Sequence, residues 1–280
     1  MGVARSLVIA SATLAACSLN FDGYTGGTTP VDAGAPQPPP PPPSSMDASM
    51  SDASDASTAP SCPTDAIFCE DFESFGGWDD KDEEFGATCG ITTSRAHAGT
   101  HALRAFAPAI LATGPQNDQC YYSHLLPEPP PARLAMRAWM YVVSPVGSGP
   151  GWDPIQMHPA ASSATCKSGS MYTGYDAMGA FATFDTGTST MSIRAAPSAP
   201  PLALDRWTCI EYVFDAAAAG HFTMYVDDVL AIDGAATYAD GDPFCGFQDL
   251  DVGIAGHATD HDLEVEWDDV VVAPHRIGCQ

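Results

Sequence analysis

RWTCIEYVF (residues 206–214) and HFTMYVD (residues 221–227) are the two segments that decide the fold class of this chain. The first is rich in β-branched and aromatic residues, which are the types that favour β-strands. In the second, Phe222, Met224 and Val226 alternate with their neighbours and therefore share one face of a strand. The small residues between the two segments predict a turn. The sequence thus predicts two successive antiparallel strands.

Other segments repeat this pattern. In LEVEWDDVVV (residues 263–272), Leu263, Val265 and Trp267 alternate with acidic residues, and a run of three valines closes the segment. No segment has a persuasive helical period, so roughly a dozen strands in two packed sheets are expected. The additional predicted strands are Ala66–Phe72, His101–Phe106, Gln119–His124, Arg133–Val143, Phe181–Asp185, Thr190–Arg194 and Leu250–Ala255.

These strands also resemble a known family. RWTCIEYVF, FTMYVDDVLAIDG (residues 222–234) and EWDDVVV (residues 266–272) are similar to strands of the concanavalin A-like, or laminin-G-like, jelly roll. IFCEDFES (residues 67–74) and SRAHAGTHALRAF (residues 94–106) extend the resemblance to most of the chain after Cys62. It implies an all-β, two-sheet antiparallel sandwich. The family contains lectin modules, glucanases and some polysaccharide lyases, so the fold alone leaves the function open.

The N-terminus predicts export and a lipid anchor. Residues 1–16 contain one basic residue, Arg5, and an apolar run that is too short to span a bilayer, as in a secretory signal peptide. They end in Leu-Ala-Ala before Cys17, which resembles a bacterial lipobox and implies cleavage before Cys17 and lipidation of its sulfur. The alternative is an ordinary signal peptide followed by a chance cysteine. We expect a protein of the bacterial cell envelope, on the outer membrane or cell surface, that contacts the membrane through this anchor only.

Residues 17–60 predict a disordered tether. Pro38–Pro43 is an unbroken proline run, which favours extended polyproline II, and the flanking residues are small, polar and acidic without periodicity. Residues 61–280 are long enough for one β-sandwich domain.

The charge restricts the partners. The full chain has a net charge of −25, and loss of Arg5 with the leader leaves nine basic residues against 35 acidic ones, about −26. A field of this sign disfavours nucleic acid, anionic lipid headgroups and acidic polysaccharides. Neutral glycans, cations and basic partners stay open.

The cysteines predict disulfides. An even number in an exported chain is typical of a disulfide framework, and without a CxxC motif a zinc site is disfavoured. The family resemblance implies that the first and last strands are neighbours, so we expect Cys62 or Cys69 to pair with Cys279. We also expect Cys209 to pair with Cys245, and Cys89 with Cys120. The cysteines that remain after Cys17 are Cys62, Cys69, Cys89, Cys120, Cys166, Cys209, Cys245 and Cys279.

Two enzyme motifs of the family can be compared with the chain. The glucanase pattern Glu-x-Asp-x-x-Glu begins at Glu266, but Val271 occupies the position of the second Glu. Gln156-Met157-His158 is similar to the Gln-x-His motif of alginate-lyase-like enzymes. That resemblance implies β-elimination, in which Gln156 neutralises the uronate, His158 abstracts a proton and Arg137 assists from a neighbouring strand.

A binding module without catalysis is the preferred interpretation. Aromatic rings stack on sugars, and arginine donates paired hydrogen bonds to hydroxyl groups. The lyase, and a structural or adhesion module, stay open as alternatives. The predicted carbohydrate-binding residues are Arg137, Trp139, Tyr141, Trp152, Tyr172 and Tyr175.

Calcium is the predicted cofactor. The family resemblance implies a structural calcium ion where the first strand meets the last, and oxygen ligands suit this ion. The predicted ligands are Glu70, Asp71, Glu73, Asp268 and Asp269. Alternatively, these carboxylates only face water.

Overall fold

In the computed structural model, all residues described below lie in one unit, Ala53–Gln280. The predicted leader, the tether, Cys17 and Cys166 lie outside the described residues. In the part of the chain that is described, no helix is long and apolar enough to cross a membrane. The described residues are 62–109, 117–144, 151–159, 169–176, 178–185, 190–196, 198–216, 220–235, 245–257 and 260–280.

One sheet has eight strands. Seven lie in the order β13-β12-β11-β6-β15-β4-β3, and β1 pairs with β15. The pairs are antiparallel. The strands of this sheet are β1 (Phe68–Glu70), β3 (Thr88–Thr92), β4 (Ala102–Ala107), β6 (Arg133–Val142), β11 (Trp207–Asp215), β12 (His221–Val226), β13 (Val229–Ala235) and β15 (Leu263–Ala273).

The other sheet has seven strands in the order β10-β9-β8-β7-β14-β5-β2. Its pairs are antiparallel as well. Its strands are β2 (Asp80–Glu84), β5 (Asn117–Leu125), β7 (Trp152–Pro159), β8 (Ser170–Asp176), β9 (Gly179–Asp185), β10 (Thr190–Arg194) and β14 (Phe247–His257). The two sheets form an all-β, two-sheet antiparallel jelly-roll sandwich, which confirms the predicted fold class.

The core lies between the sheets and follows the predicted alternation. On β6, the side chains of residues 134, 136, 138, 140 and 142 are buried in the core cluster. Trp139 and Tyr141 alternate with them and lie on the outer face of the eight-stranded sheet. Trp267 of β15 is fully buried, and its Nε1 donates a hydrogen bond of 3.0 Å to the carbonyl oxygen of Gly253 in the opposite sheet. Trp267 therefore joins the two sheets through packing and a hydrogen bond.

The disulfides confirm one predicted pair and correct two. Cys89 pairs with Cys120, as predicted. The expected bond from Cys62 or Cys69 to Cys279 is wrong, because Cys62 pairs with Cys69. The expected Cys209–Cys245 bond is wrong too, because Cys209 pairs with Cys279. Cys245 is also disulfide-bonded.

The C-terminal segment explains the second correction. The buried carboxylate of Glu211 accepts hydrogen bonds from the backbone N–H groups of Ile277 and Gly278, at 2.5 and 3.2 Å. Its other oxygen accepts one from Nε of Arg276, at 3.1 Å. These bonds hold the end of the chain against β11 rather than β1, although β1 and β15 are neighbours as expected. Cys279 therefore meets Cys209.

Glu73 connects the segment after β1 to the turn before β4. Its carboxylate accepts hydrogen bonds from the backbone N–H groups of Thr100 and His101, at 2.5 and 2.7 Å, and from the hydroxyl of Thr100 at 2.9 Å. Gly99 has a φ of 67°, and a Cβ there would overlap this carboxylate. The hydrogen bonds from His101 and Thr100 lower the pKa of Glu73 to about 2.

We expect Glu73→Gln to reduce the loss of stability at acidic pH. The ionised Glu73 contributes stability above its ordinary pKa of 4.5, and this contribution is lost as the pH falls towards 2. Denaturant unfolding of the full chain at pH 7 and pH 2 should show a wild-type advantage over the variant at pH 7 that disappears at pH 2. Glu84→Gln, at an exposed position, is the control. An equal wild-type advantage at both pH values would contradict the role of Glu73.

Candidate functional site

The outer face of the seven-stranded sheet contains a polar cluster whose floor begins on β7. Ile155 and Met157 of β7 face the core, so Gln156 and His158 face outward. Pro154 lies where β7 pairs irregularly with both neighbouring strands. In the pairing with β8 the irregularity falls between Trp152 and Ile155. In the pairing with β14 it falls opposite Val252 to Ala255. A proline is tolerated there because its missing N–H removes no ladder hydrogen bond.

Gln156 is held by Tyr121. The Gln156 side-chain amide donates to the Tyr121 hydroxyl at 2.7 Å, and this hydroxyl donates to the carbonyl oxygen of Asp153, also at 2.7 Å. Burial, followed by the negative charge of Asp153, raises the pKa of Tyr121 well above its ordinary value. Tyr121 therefore stays a neutral hydrogen-bonding group that orients Gln156.

Gly253 is required next to Tyr121. It lies opposite Tyr121 in the β5–β14 register, and a Cβ there would overlap the carbonyl oxygen of Cys120. A side chain at this position is therefore incompatible with the close approach of the two strands. The same glycine supplies the carbonyl oxygen that Trp267 binds from the core, so the floor of the cluster and the core are joined at one residue.

His158 pairs with the acidic residues of β14. Its Nε2 lies 2.7 Å from Oδ2 of Asp251, and its backbone N–H donates to Asp249 at 3.1 Å. Its Nδ1 lies 3.5 Å from the hydroxyl of Ser170 on β8. The hydrogen bond with Asp251 raises the pKa of His158, and burial raises the pKa of Asp249. His158 thus has a fixed orientation with a carboxylate on one ring nitrogen.

The cluster is open on one side. The side chain of His158 is 39% exposed, whereas that of Asp251 is 9% exposed. Tyr172 lies opposite Gln156 in the β7–β8 register and is half-buried, as is Ser170. A ligand could therefore contact His158, Ser170 and Tyr172 above a buried polar floor.

Arg137 lies on the other sheet. It is buried on β6, where it donates to the backbone oxygens of Gln280 and Asp269 at 3.2 and 3.4 Å. The expected group of Arg137, Gln156 and His158 is therefore not assembled, because β6 and β7 belong to different sheets and these side chains occupy the two opposite outer faces.

Trp139 and Tyr141 are half-buried on the outer face of the eight-stranded sheet, and their rings already have partners. The ring of His97 stacks on Trp139 with centroids 3.8 Å apart, and the guanidinium of Arg95 lies 4.8 Å from the Tyr141 ring centroid. These contacts occupy the ring surfaces that a sugar would need. Arg95 also pairs with the buried Glu266 at 3.2 Å, which holds the segment before β4 over this face.

Trp152 and Tyr175 belong to the core, which corrects their expected place on a sugar-binding surface. Trp152 is 2% exposed and Tyr175 is 3% exposed, and they pack on each other with centroids 5.6 Å apart. The irregular pairing between Trp152 and Ile155 reverses the face of Trp152 relative to Gln156. Tyr175 shares the core face of β8 with Met171.

The five predicted calcium ligands do not converge in the structure. Glu70 accepts from the backbone N–H of Phe72, Asp71 from that of Glu73, and Asp268 from those of His97 and Ala98. Asp269 contacts the ring of His97, and Glu73 forms the bonds described above. Among the described residues, one group of three His, Cys, Asp or Glu side chains has ligand atoms within 4.8 Å of one another: His158, Asp249 and Asp251.

Comparisons with known proteins agree with the fold. No protein-family model matches the chain, and no curated protein matches it. Among solved structures, the chain is similar to the cellulose-induced protein Cip1, with a TM-score of 0.57, 18% identity and coverage of 76% of this chain and 100% of Cip1. It is also similar to an endo-β-1,4-glucuronan lyase from the fungus Trichoderma reesei, with a TM-score of 0.58, 14% identity and coverage of 75% of this chain and 96% of the lyase. At these identities the likeness concerns the jelly-roll fold alone.

Proposed function

We propose that this domain binds a polysaccharide on the outer face of the seven-stranded sheet, at a surface patch formed by His158, Ser170 and Tyr172. The observation that carries the proposal is the arrangement of half-exposed groups above a buried, hydrogen-bonded floor. Ligand sites commonly combine a few converging polar groups with aromatic surface in this way. Tyr172 is half-buried, so part of its side chain faces solvent and can contact a sugar.

The charge around this surface patch favours a neutral glycan. Asp249 and Asp251 lie beside His158, and no lysine or arginine of the described residues forms an ion pair with either carboxylate. The whole chain is strongly acidic as well. A polyuronate would meet repulsion from both sources, whereas hydroxyl groups of a neutral glycan can donate to the carboxylates.

The test is a panel of neutral and uronate polysaccharides in affinity electrophoresis of the purified full chain with its disulfides formed. We expect retardation by at least one neutral polysaccharide and none by the uronates, and no release of sugar. His158→Ala should weaken the retardation. Retardation by uronates alone would contradict the preference for a neutral ligand, and no retardation by any glycan would favour a structural or adhesion module.

A lyase is the second candidate, and one observation favours it. Gln156 and His158 project from the same face of β7, and Tyr121 fixes Gln156. In such a reaction His158 would take the C5 proton of a uronate, the bond between C4 and the glycosidic oxygen would break as a C4–C5 double bond forms, and the leaving oxygen would take a proton from water. The similarity to the glucuronan lyase is compatible with this chemistry. Arg137, on the other sheet, would not take part.

The lyase candidate has its own measurement, the near-ultraviolet absorbance of unsaturated uronate ends. Rising absorbance that disappears in His158→Ala, with Ser94→Ala in the segment between β3 and β4 unaffected, would replace binding by catalysis as the function. The raised pKa of His158 means that the neutral base form is present only at higher pH than for an ordinary histidine. The rate should therefore increase with pH through the titration of this residue.

We further propose that the chain is exported and held in a bacterial envelope by a lipid on Cys17, with residues 17–60 as tether. The disulfides of the domain suit an oxidising compartment. Cys17→Ala should move the protein from the membrane fraction to the soluble fraction when it is produced in a bacterial host. Equal membrane association of the variant and the wild type would contradict the anchor.

A further inference from the structure

The group of His158, Asp249 and Asp251 has the chemistry of a metal site that differs from the calcium site expected at β1 and β15. We propose that these three side chains bind a divalent first-row transition-metal ion, with Zn²⁺ as the representative ion. The inference goes beyond polysaccharide binding and does not depend on it, because the three residues require no glycan to meet.

The geometry brings one nitrogen and two oxygen ligands together. His158 lies directly opposite Asp249 in the β7–β14 register, and Asp251 is two residues further along β14 on the same face. Nε2 of His158 is 2.7 Å from Oδ2 of Asp251, and the three ligand atoms lie within 4.8 Å of one another. Rotations of these side chains would be needed to bring all three atoms to bond lengths of about 2.0 to 2.2 Å from one ion.

The charges fit a divalent cation. Two carboxylates and a neutral imidazole carry a charge of −2, and no lysine or arginine among the described residues forms an ion pair with them. Asp251 is buried and Asp249 is half-buried, so their mutual repulsion is only partly screened by water. A bound dication would remove this repulsion.

The ligand types and the surroundings select the class of ion. An imidazole nitrogen suits zinc, copper, iron and nickel, whereas calcium takes six to eight oxygen ligands. Metal-bound histidines commonly use their second ring nitrogen for a hydrogen bond that fixes the ring. Nδ1 of His158 faces the Ser170 hydroxyl at 3.5 Å, in the position of such a partner. With three protein ligands, coordination positions remain for water or a ligand.

The test is a titration of the metal-stripped, untagged full chain with Zn²⁺ by calorimetry, and with Co²⁺ by visible absorption. We expect one saturable site in the wild type, and at least about a tenfold loss of affinity in both His158→Ala and Asp249→Asn. His221→Ala is the matched control, since His221 is similarly exposed and also pairs with an aspartate, Asp233. It should bind as the wild type does.

Two results would overturn the site. One is the absence of saturable binding to the wild type at millimolar metal; the other is unchanged affinity in either His158→Ala or Asp249→Asn. Near-ultraviolet circular dichroism shows whether each variant keeps the native packing, and Asp249→Asn preserves shape if the alanine variant does not fold. Because metal alone is the probe, failure here leaves the proposed polysaccharide binding untouched.

Discussion

Trp267→Ala is expected to destabilise the domain by about 3 to 5 kcal/mol, the range for truncating a buried tryptophan. Trp267 is fully buried between the sheets, so alanine would leave a large cavity and remove the hydrogen bond to Gly253. Denaturant unfolding of the full chain, compared at equal m-values, measures the effect.

Two further variants serve as comparisons, one at Trp267 and one at a half-buried tryptophan. Trp267→Phe keeps most of the apolar volume and loses the N–H donor, so its stability should lie between those of the wild type and Trp267→Ala. Trp207→Ala, at a half-buried position on the outer face, should cost less than half as much as Trp267→Ala. A cost below about 1 kcal/mol for Trp267→Ala would contradict its role in joining the sheets.

Asp268→Asn is expected to flatten the dependence of stability on pH between about 4 and 7. Burial, followed by the charge of Asp269, raises the pKa of Asp268 from 3.8 to about 7. A folded-state pKa above the unfolded one means that the folded protein binds more protons in this window, so stability falls as the pH rises through it. At 1.36 kcal/mol per pKa unit, the loss is at most about 4 kcal/mol.

The measured quantity is the slope of the unfolding free energy against pH. The absolute stability changes as well, because asparagine loses one of the oxygens that accept hydrogen bonds from the backbone N–H groups of His97, Ala98 and Asp269. Unfolding free energies of both proteins at half-unit steps from pH 4 to 8 give the slopes. Glu84→Gln, at an exposed position, should keep the wild-type slope. A slope in Asp268→Asn equal to that of the wild type would show that Asp268 stays ionised throughout this window.

The fold was predictable because alternation fixes which face of a strand is buried. Leu134 to Val142 on β6 alternate without interruption, and the structure buries the predicted face. The place of Trp152 was not predictable, since an irregularity in the pairing reverses the alternation between it and Ile155. Pro154 is the one residue in that segment whose type indicates that the alternation of faces changes there.

The candidate site was predictable only in part. Gln156, His158 and Tyr172 were found from the motif and the aromatic composition, but Asp249, Asp251 and Tyr121 were missed. Asp249 and Asp251 are 91 and 93 residues away from His158, and only the register of β7 with β14 brings them together. Alternation within β14 places both on the outer face, yet it does not say which strand is the neighbour. The expectation that Arg137 lies near His158 was wrong for the same reason, because alternation within β6 does not say whether β7 is its neighbour.

The location of the polysaccharide-binding patch is the central claim, and a comparison of two tyrosine variants tests it most directly. With a neutral polysaccharide that retards the wild type, Tyr172→Ala should weaken binding at least about fivefold, equivalent to about 1 kcal/mol. Tyr141→Ala, on the outer face of the eight-stranded sheet, should bind as the wild type does. The opposite result, with binding lost in Tyr141→Ala and kept in Tyr172→Ala, would contradict the account and move the site to the other sheet.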